Sequence, residues 1–273
     1  MKRTLAGVAV VAGLVQLPAA PALAAPKIDP VKALKAELVR GKAVDIVAAV
    51  KVDFGGGVSY TSAMDGTIGY GPGGEIASDI SHTMTYSKAA LTSLRKQGID
   101  GDLRQAPVRM ISAAGDDYVS GPLVDPALPQ DATWVRYAGT DLPTSNLLLE
   151  VREPDTLKAL LKHRSSYRDG VLKGSIKTDA LAKASRSFAS RFGKPKKVTK
   201  VSYTLWLSGT GLVERVSAKA ALPSGDGSVR VESDTRYSTW GREATVLLPL
   251  RGDVIDRSEL ADRLPAKVPG IWG

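Results

Sequence analysis

Val201-Ser202-Tyr203-Thr204-Leu205-Trp206-Leu207-Ser208-Gly209-Thr210-Gly211-Leu212-Val213-Glu214-Arg215-Val216 carries the clearest structural signal in the chain. Val201, Tyr203, Leu205 and Leu207 recur at every second position, the spacing that puts side chains on one face of a strand. Ser208 to Gly211 has the composition of a turn, and residues 212–222 return as a second strand. Residues 228–240 and 244–250 are predicted to follow as further strands after Gly- and Pro-containing turns.

The same period runs through the N-terminal half. Val44, Ile46, Ala48, Val50, Val52 and Phe54 alternate with a mostly polar set up to Gly55-Gly56-Gly57. Tyr60, Ser62, Met64, Gly66, Ile68 and Tyr70 resume it, and Gly71-Pro72-Gly73-Gly74 turns the chain again. Ile76, Ile80, His82, Met84 and Tyr86 mark a third strand, and residues 108–120 and 134–138 read as more strand. One apolar and one polar face per strand is the pattern of an antiparallel meander with one side wet. Helical spacing is confined to short stretches: residues 30–40, residues 87–97, a helix opened by Pro154 with Leu157, Leu160 and Leu161 on one side, and a helix after Thr178 with Leu181, Ala184, Phe188 and Phe192. The fold class that follows is α+β, β-rich, with one large antiparallel sheet and a few short helices. No repeat of fixed period and no dividing linker is visible.

Residues 1–24 read as a leader. Met1-Lys2-Arg3 is basic, residues 5–17 are apolar over a length suited to secretion, and Ala22-Leu23-Ala24 is a small-x-small cleavage pattern. The expected product, residues 25–273, is a single secreted domain with a flexible C-terminal tail. Without a Cys after the cut it has no lipid anchor. The 273 residues contain 37 Lys and Arg against 28 Asp and Glu, a formal charge of +9. Loss of Lys2 and Arg3 lowers it to +7, which favours anionic partners.

Chemical motifs fail one at a time. Zero Cys removes disulfides, thiol nucleophiles and Cys-based metal sites, and two His make a histidine-rich metal site untenable. Gly69 to Gly74 matches the dinucleotide fingerprint literally, but a strand and not a helix follows it. Arg251-Gly252-Asp253 is turn composition after a strand. His82 lies within a strand pattern and His163 near a helix end, neither with a recognisable nucleophile. Asp116-Asp117 and the pair Asp100 and Asp102 sit in Gly-rich turns. No enzyme activity, cofactor or metal is expected. Lys194, Lys196 and Lys197 form a basic loop without the aromatics that nucleic-acid binding uses, so nucleic acid is excluded as a partner.

Two stretches carry a family resemblance. Asp116-Asp117-Tyr118-Val119-Ser120 is followed, past a Pro-rich loop, by Thr133-Trp134-Val135-Arg136-Tyr137, and residues 201–216 form the hairpin quoted above. Together they resemble the mycobacterial LppX/LprG-type lipoproteins of the LolA-like lipoprotein-carrier superfamily, over most of residues 27–255. The resemblance implies a curved antiparallel half-barrel with helices across its concave face, enclosing an apolar pocket for lipid or lipoglycan acyl chains. It implies Met64, Ile68, Ile80, Met84, Met110, Leu205 and Leu207 as pocket candidates, although such a stripe at strand spacing is equally the pattern of a packed core. Leu157, Leu160, Leu161, Leu181 and Phe188 become lid-helix candidates. A sixteen-carbon chain so buried would gain roughly 12 kcal/mol gross. This sequence departs from the mycobacterial members in lacking the anchor Cys, which favours a diffusible carrier over a tethered one. Two function classes stay open: a secreted, non-enzymatic lipid binder or carrier, and a cell-envelope interaction or sensor module that docks a protein or an anionic membrane or wall surface.

Overall fold

The computed structural model describes residues 28–71, 74–140, 147–193, 197–224 and 227–264. Residues 1–24, expected as a leader, and residues 265–273 of the expected tail lie outside them, as do Lys194 and Lys196.

The period-two stretches become strands, and the glycine turns become hairpins. Helix α1 (Pro30–Glu37), capped by the Asp29 side chain, leads into β1 (Lys42–Gly55), β2 (Val58–Gly71) and β3 (Gly74–Tyr86). Gly56 and Gly57 join β1 to β2 with positive φ at both positions, the geometry that matches strand twist and that glycine adopts without steric cost. Helices α2 (Lys88–Lys96) and α3 (Gly101–Gln105) lead to β4 (Val108–Ala113), β5 (Asp116–Ser120) and β6 (Trp134–Ala138). After residues 147–153 come α4 (Pro154–Lys162), β7 (Arg164–Arg168), β8 (Val171–Lys177), α5 (Thr178–Ala184) and α6 (Arg186–Phe192). The chain then returns as β9 (Lys200–Leu207), β10 (Val213–Ser224) and β11 (Gly227–Glu243), and ends in β12 (Val254–Asp256) and a 3-10 turn over Arg257–Arg263.

The twelve strands of the described residues form one open, curved sheet in the order β12-β6-β5-β4-β3-β2-β1-β11-β10-β9-β8-β7. Two meanders are therefore stitched together where β1 meets β11, and every pairing is antiparallel except β12 on β6. Cross-strand register puts Val44, Ile68 and Ser78 on one face, with Ile46, Gly66, Ile80 and Tyr237 beside them. This concave face continues through Val216, Leu205 and Leu172. Helices α4 and α5 pack on β8, α6 packs on α5, and α1 packs on α4, so helices close this side of the half-barrel. The main core holds β1–β3, β8–β11, residues 147–151 and the helices α1 and α4–α6. A second cluster of Met110, Val119, Val124, Val135, Tyr137, Leu260 and Leu264 lies at the β12 edge. The other face carries cross-strand ion pairs, Arg109–Asp79, Arg215–Asp234, Arg230–Asp53 and Arg242–Asp45, and is held in water by them.

Several elements differ from the sequence expectation. Residues 108–120 are two strands, because Ala114-Gly115 makes a tight turn with both residues at positive φ. Residues 244–250 form no strand; β1 is already paired on both sides, and Leu247 and Leu250 stand 75% exposed. The single helix expected after Thr178 is broken at Ser185, whose side chain caps α6. Thr178 is itself the first helical residue, and its hydroxyl accepts the Thr199 N–H. Asp116 and Asp117 begin a strand, and the hairpin of β7 and β8 and the short α3 were not expected.

Candidate ligand cleft

The alternation of β1 does not end where the core ends. Val52 opposes Tyr60 on β2 and Val231 on β11, and Val50 and Phe54 flank it on the same face. With Val229 these side chains form an apolar floor at one end of a cleft of about 1490 Å³. Phe54 is 50% exposed, and its ring centroid lies 5.9 Å from that of Tyr60, which is 6.1 Å from Tyr86. Burial, reinforced by Tyr86, pushes the Tyr60 hydroxyl pKa up, so the phenol is neutral. Helix α6 forms the opposite wall with Arg186, Ser187, Ser190, Arg191 and Phe192. Phe192 is anchored on buried Phe188 at 4.7 Å, and the Arg191 guanidinium donates to the Leu147 carbonyl at 2.6 Å.

The far end is polar. Tyr70, Glu75, Asp116, Asp117, Glu150 and Arg152 line it. Arg152 is buried and donates to both oxygens of Glu150 at 2.8 and 2.7 Å and to Glu75 at 2.9 Å. Burial opposes its charge, but the two carboxylates outweigh it and hold the guanidinium protonated. The hydroxyls of Tyr70 and Tyr237 are buried beside Arg152 without a well-aligned hydrogen bond, and desolvation pushes both pKa values up.

Between the ends, Glu153 ties the wall together. It is the residue before α4, and its carboxylate accepts from Thr156, from Ser185 and from both the hydroxyl and the N–H of Ser187. It thereby fixes the start of α6, where negative charge is favoured by the helix dipole.

The pocket candidates drawn from the sequence lie elsewhere. Met64, Ile68, Ile80, Leu205 and Leu207 are buried in the main core, Met110 lies in the second cluster, and Met84 is buried on β3. None is among the residues that line the cleft. Leu157, Leu160, Leu181 and Phe188 are buried in the helices over the sheet, Leu161 is half-buried there, and Lys197 is exposed. His82 is only 2% exposed, with both ring nitrogens unpartnered, and burial lowers its pKa to about 4. Val50, Val52, Phe54 and Tyr60 belong to the strand alternation, which does not distinguish a cleft floor from a packed core. The run Leu147-Leu148-Leu149-Glu150-Val151-Arg152 held the missed signal, two charges inside an apolar stretch. Among the described residues no group of three or more His, Asp or Glu could hold a metal, and no helix is long and apolar enough to cross a membrane.

No family model and no curated protein matches the chain. Among solved structures, a DUF1329 family protein from Desulfovibrio piger is 11% identical over 77% of this chain and 89% of that one, with a TM-score of 0.25. MucB, solved in complex with MucA(peri), is 9% identical over 78% of this chain and 94% of that one, with a TM-score of 0.12. At these TM-scores neither likeness carries an argument, and the curved β-rich architecture rests on the chain's own structure.

Proposed function

We propose that this chain is a non-catalytic, extracytoplasmic binder or carrier of amphiphiles, built as a LolA-like half-barrel that seats acyl chains in the cleft. One observation carries the reading: a large cleft whose floor, from Val50 to Phe54 with Tyr60, Val229 and Val231, is apolar and open to solvent at its Phe54 end. Its volume of about 1490 Å³ exceeds the roughly 300–1,000 Å³ of ordinary small-molecule pockets and suits a bulky or multi-chain ligand. The helix packing gives one rigid wall, and the chain chemistry needs no cofactor. The test is acyl-probe uptake by the purified full chain, together with the same measurement on Val52→Lys. Stoichiometric uptake lost in the variant supports the reading; absence of uptake, or uptake indifferent to Val52→Lys, overturns it.

The docking alternative draws on a different feature, the exposed Leu247, Leu248 and Leu250 between β11 and β12. It predicts association with envelope material that survives Val52→Lys and is lost when the three leucines become serine.

A further inference from the structure

The charges that line the cleft are not equally available to a ligand. Five acids line it, and each is engaged within the chain. Glu75 and Glu150 are held by Arg152. Glu153 accepts four hydrogen bonds from Thr156, Ser185 and Ser187. Asp116 accepts from the Gly139 N–H at 3.2 Å and pairs with Arg136, and Asp117 accepts from Ser112 and Thr140. A carboxylate already given this many donors gains little from a further cation.

The cations divide differently. Arg152 is committed to its two glutamates, and Arg191 to the Leu147 carbonyl and its surroundings. Lys35 on α1 and Arg186 at the start of α6 also line the cleft and are exposed. Neither has an ion pair or a hydrogen bond to any of the described residues. The charge the cleft can still offer is therefore positive, although its acids outnumber its cations. The serines of α6 beside Arg186, Ser187 and Ser190, add hydroxyls on the same wall.

We infer that the cleft selects amphiphiles whose polar end is anionic, a phosphate or carboxylate met by Lys35 and Arg186 while the chain lies on the floor of β1, β2 and β11. This rests on the acyl-binding reading above and adds to it the sign of the headgroup. Arg186 is suited to the task because its planar fork matches phosphate and carboxylate oxygens.

The experiment compares two palmitoyl lysophospholipids on the full chain, one with a phosphoglycerol head and one with phosphocholine, so that the tail is constant and the net charge differs. The anionic lipid should bind about fivefold tighter at low salt, and the difference should shrink toward unity near 0.5 M salt. The double variant Lys35→Gln with Arg186→Gln should show no preference, its affinity for the phosphoglycerol lipid falling further than its affinity for the phosphocholine lipid. Inorganic phosphate alone should displace neither lipid. Equal affinities for the two heads, or a preference that survives the double variant, overturn the inference and leave acyl binding standing. Displacement by inorganic phosphate would make the site one for free anions and overturn the lipid assignment. Failure of both lipids to bind overturns the acyl-binding reading, and the inference falls with it.

Discussion

The Arg152 guanidinium holds both oxygens of Glu150, two residues away, and the two side chains are 7% and 5% exposed. A charge pair this deeply buried is tolerated because the same guanidinium also meets Glu75, and the Glu150 carboxylate also accepts the Arg152 N–H at 3.1 Å. The pair closes the polar end of the cleft and pins residues 147–153 to the sheet. Arg152→Met leaves Glu150 buried without its cation and should cost about 3–5 kcal/mol. The double variant Glu150→Leu with Arg152→Met should recover much of that loss. Urea unfolding of the two variants checks this; a cost below about 1 kcal/mol for the single change contradicts the pairing.

His82 gives the fold a measurable pH dependence. Its ring is neutral in the folded chain with a pKa of about 4, against about 6.5 in the unfolded chain. The unfolded state binds more protons between those values, so stability rises with pH across that window and falls as the pH is lowered. The loss from pH 7 to about 4.5 is about 2–3 kcal/mol. Asp45 acts in a separate window. Partial burial raises its pKa, but hydrogen bonds from Arg242, Thr239 and Thr67 outweigh that and hold it at about 2. Its contribution is present above pH 4 and is lost only as the pH falls on toward 2. His82→Leu should flatten the stability profile between pH 4.5 and 6.5 and leave the lower limb in place.

Gly66 sits in the middle of β2 with φ of +153°, and a Cβ there would lie 2.0 Å from the Asp79 carbonyl oxygen. Gly66→Ala must push β3 away and should destabilise by about 2–4 kcal/mol or prevent folding. Gly209→Ala, where nothing lies within 4 Å and φ is unremarkable, should change stability by less than about 0.5 kcal/mol. Thermal melts of the pair, read against each other, separate the close approach from a general cost of adding a methyl.

Leu247, Leu248 and Leu250 contribute little to folding because they are exposed. Their joint replacement by serine should shift stability by less than about 0.5 kcal/mol per site. A larger loss in chemical unfolding would mean that this segment is packed.

The strands were legible because each of β1, β2, β3, β9 and β10 presents one buried face, as with Val44 to Val50 and Val201 to Leu207. Hairpin β7–β8 was not, since Arg164-Ser165-Ser166-Tyr167-Arg168 is polar apart from half-buried Tyr167 and shows no apolar alternation. Gly174 also stands at a concave-face position, where a Cβ would meet the Tyr203 hydroxyl. Residues 244–250 failed in the opposite direction: the apolar composition was there, but β11 and β1 beside them are each already paired on both sides. The cleft was hidden for a related reason. Met64 and Val52 lie on the same face of the sheet with the same alternation. Met64 is sealed within the main core, and Val52, near the open end of β1, borders the cleft. What packs above each strand end depends on residues 147–153 and α6, roughly a hundred positions further along, and period-two reasoning carries no such information.

Native mass spectrometry of the full chain recovered from the cells that make it, followed by lipid extraction, tests the central claim most directly. Acyl binding in the cleft predicts a discrete added mass that extracts as an amphiphile with an anionic head. A bare polypeptide mass that stays bare after incubation with native membranes would contradict it.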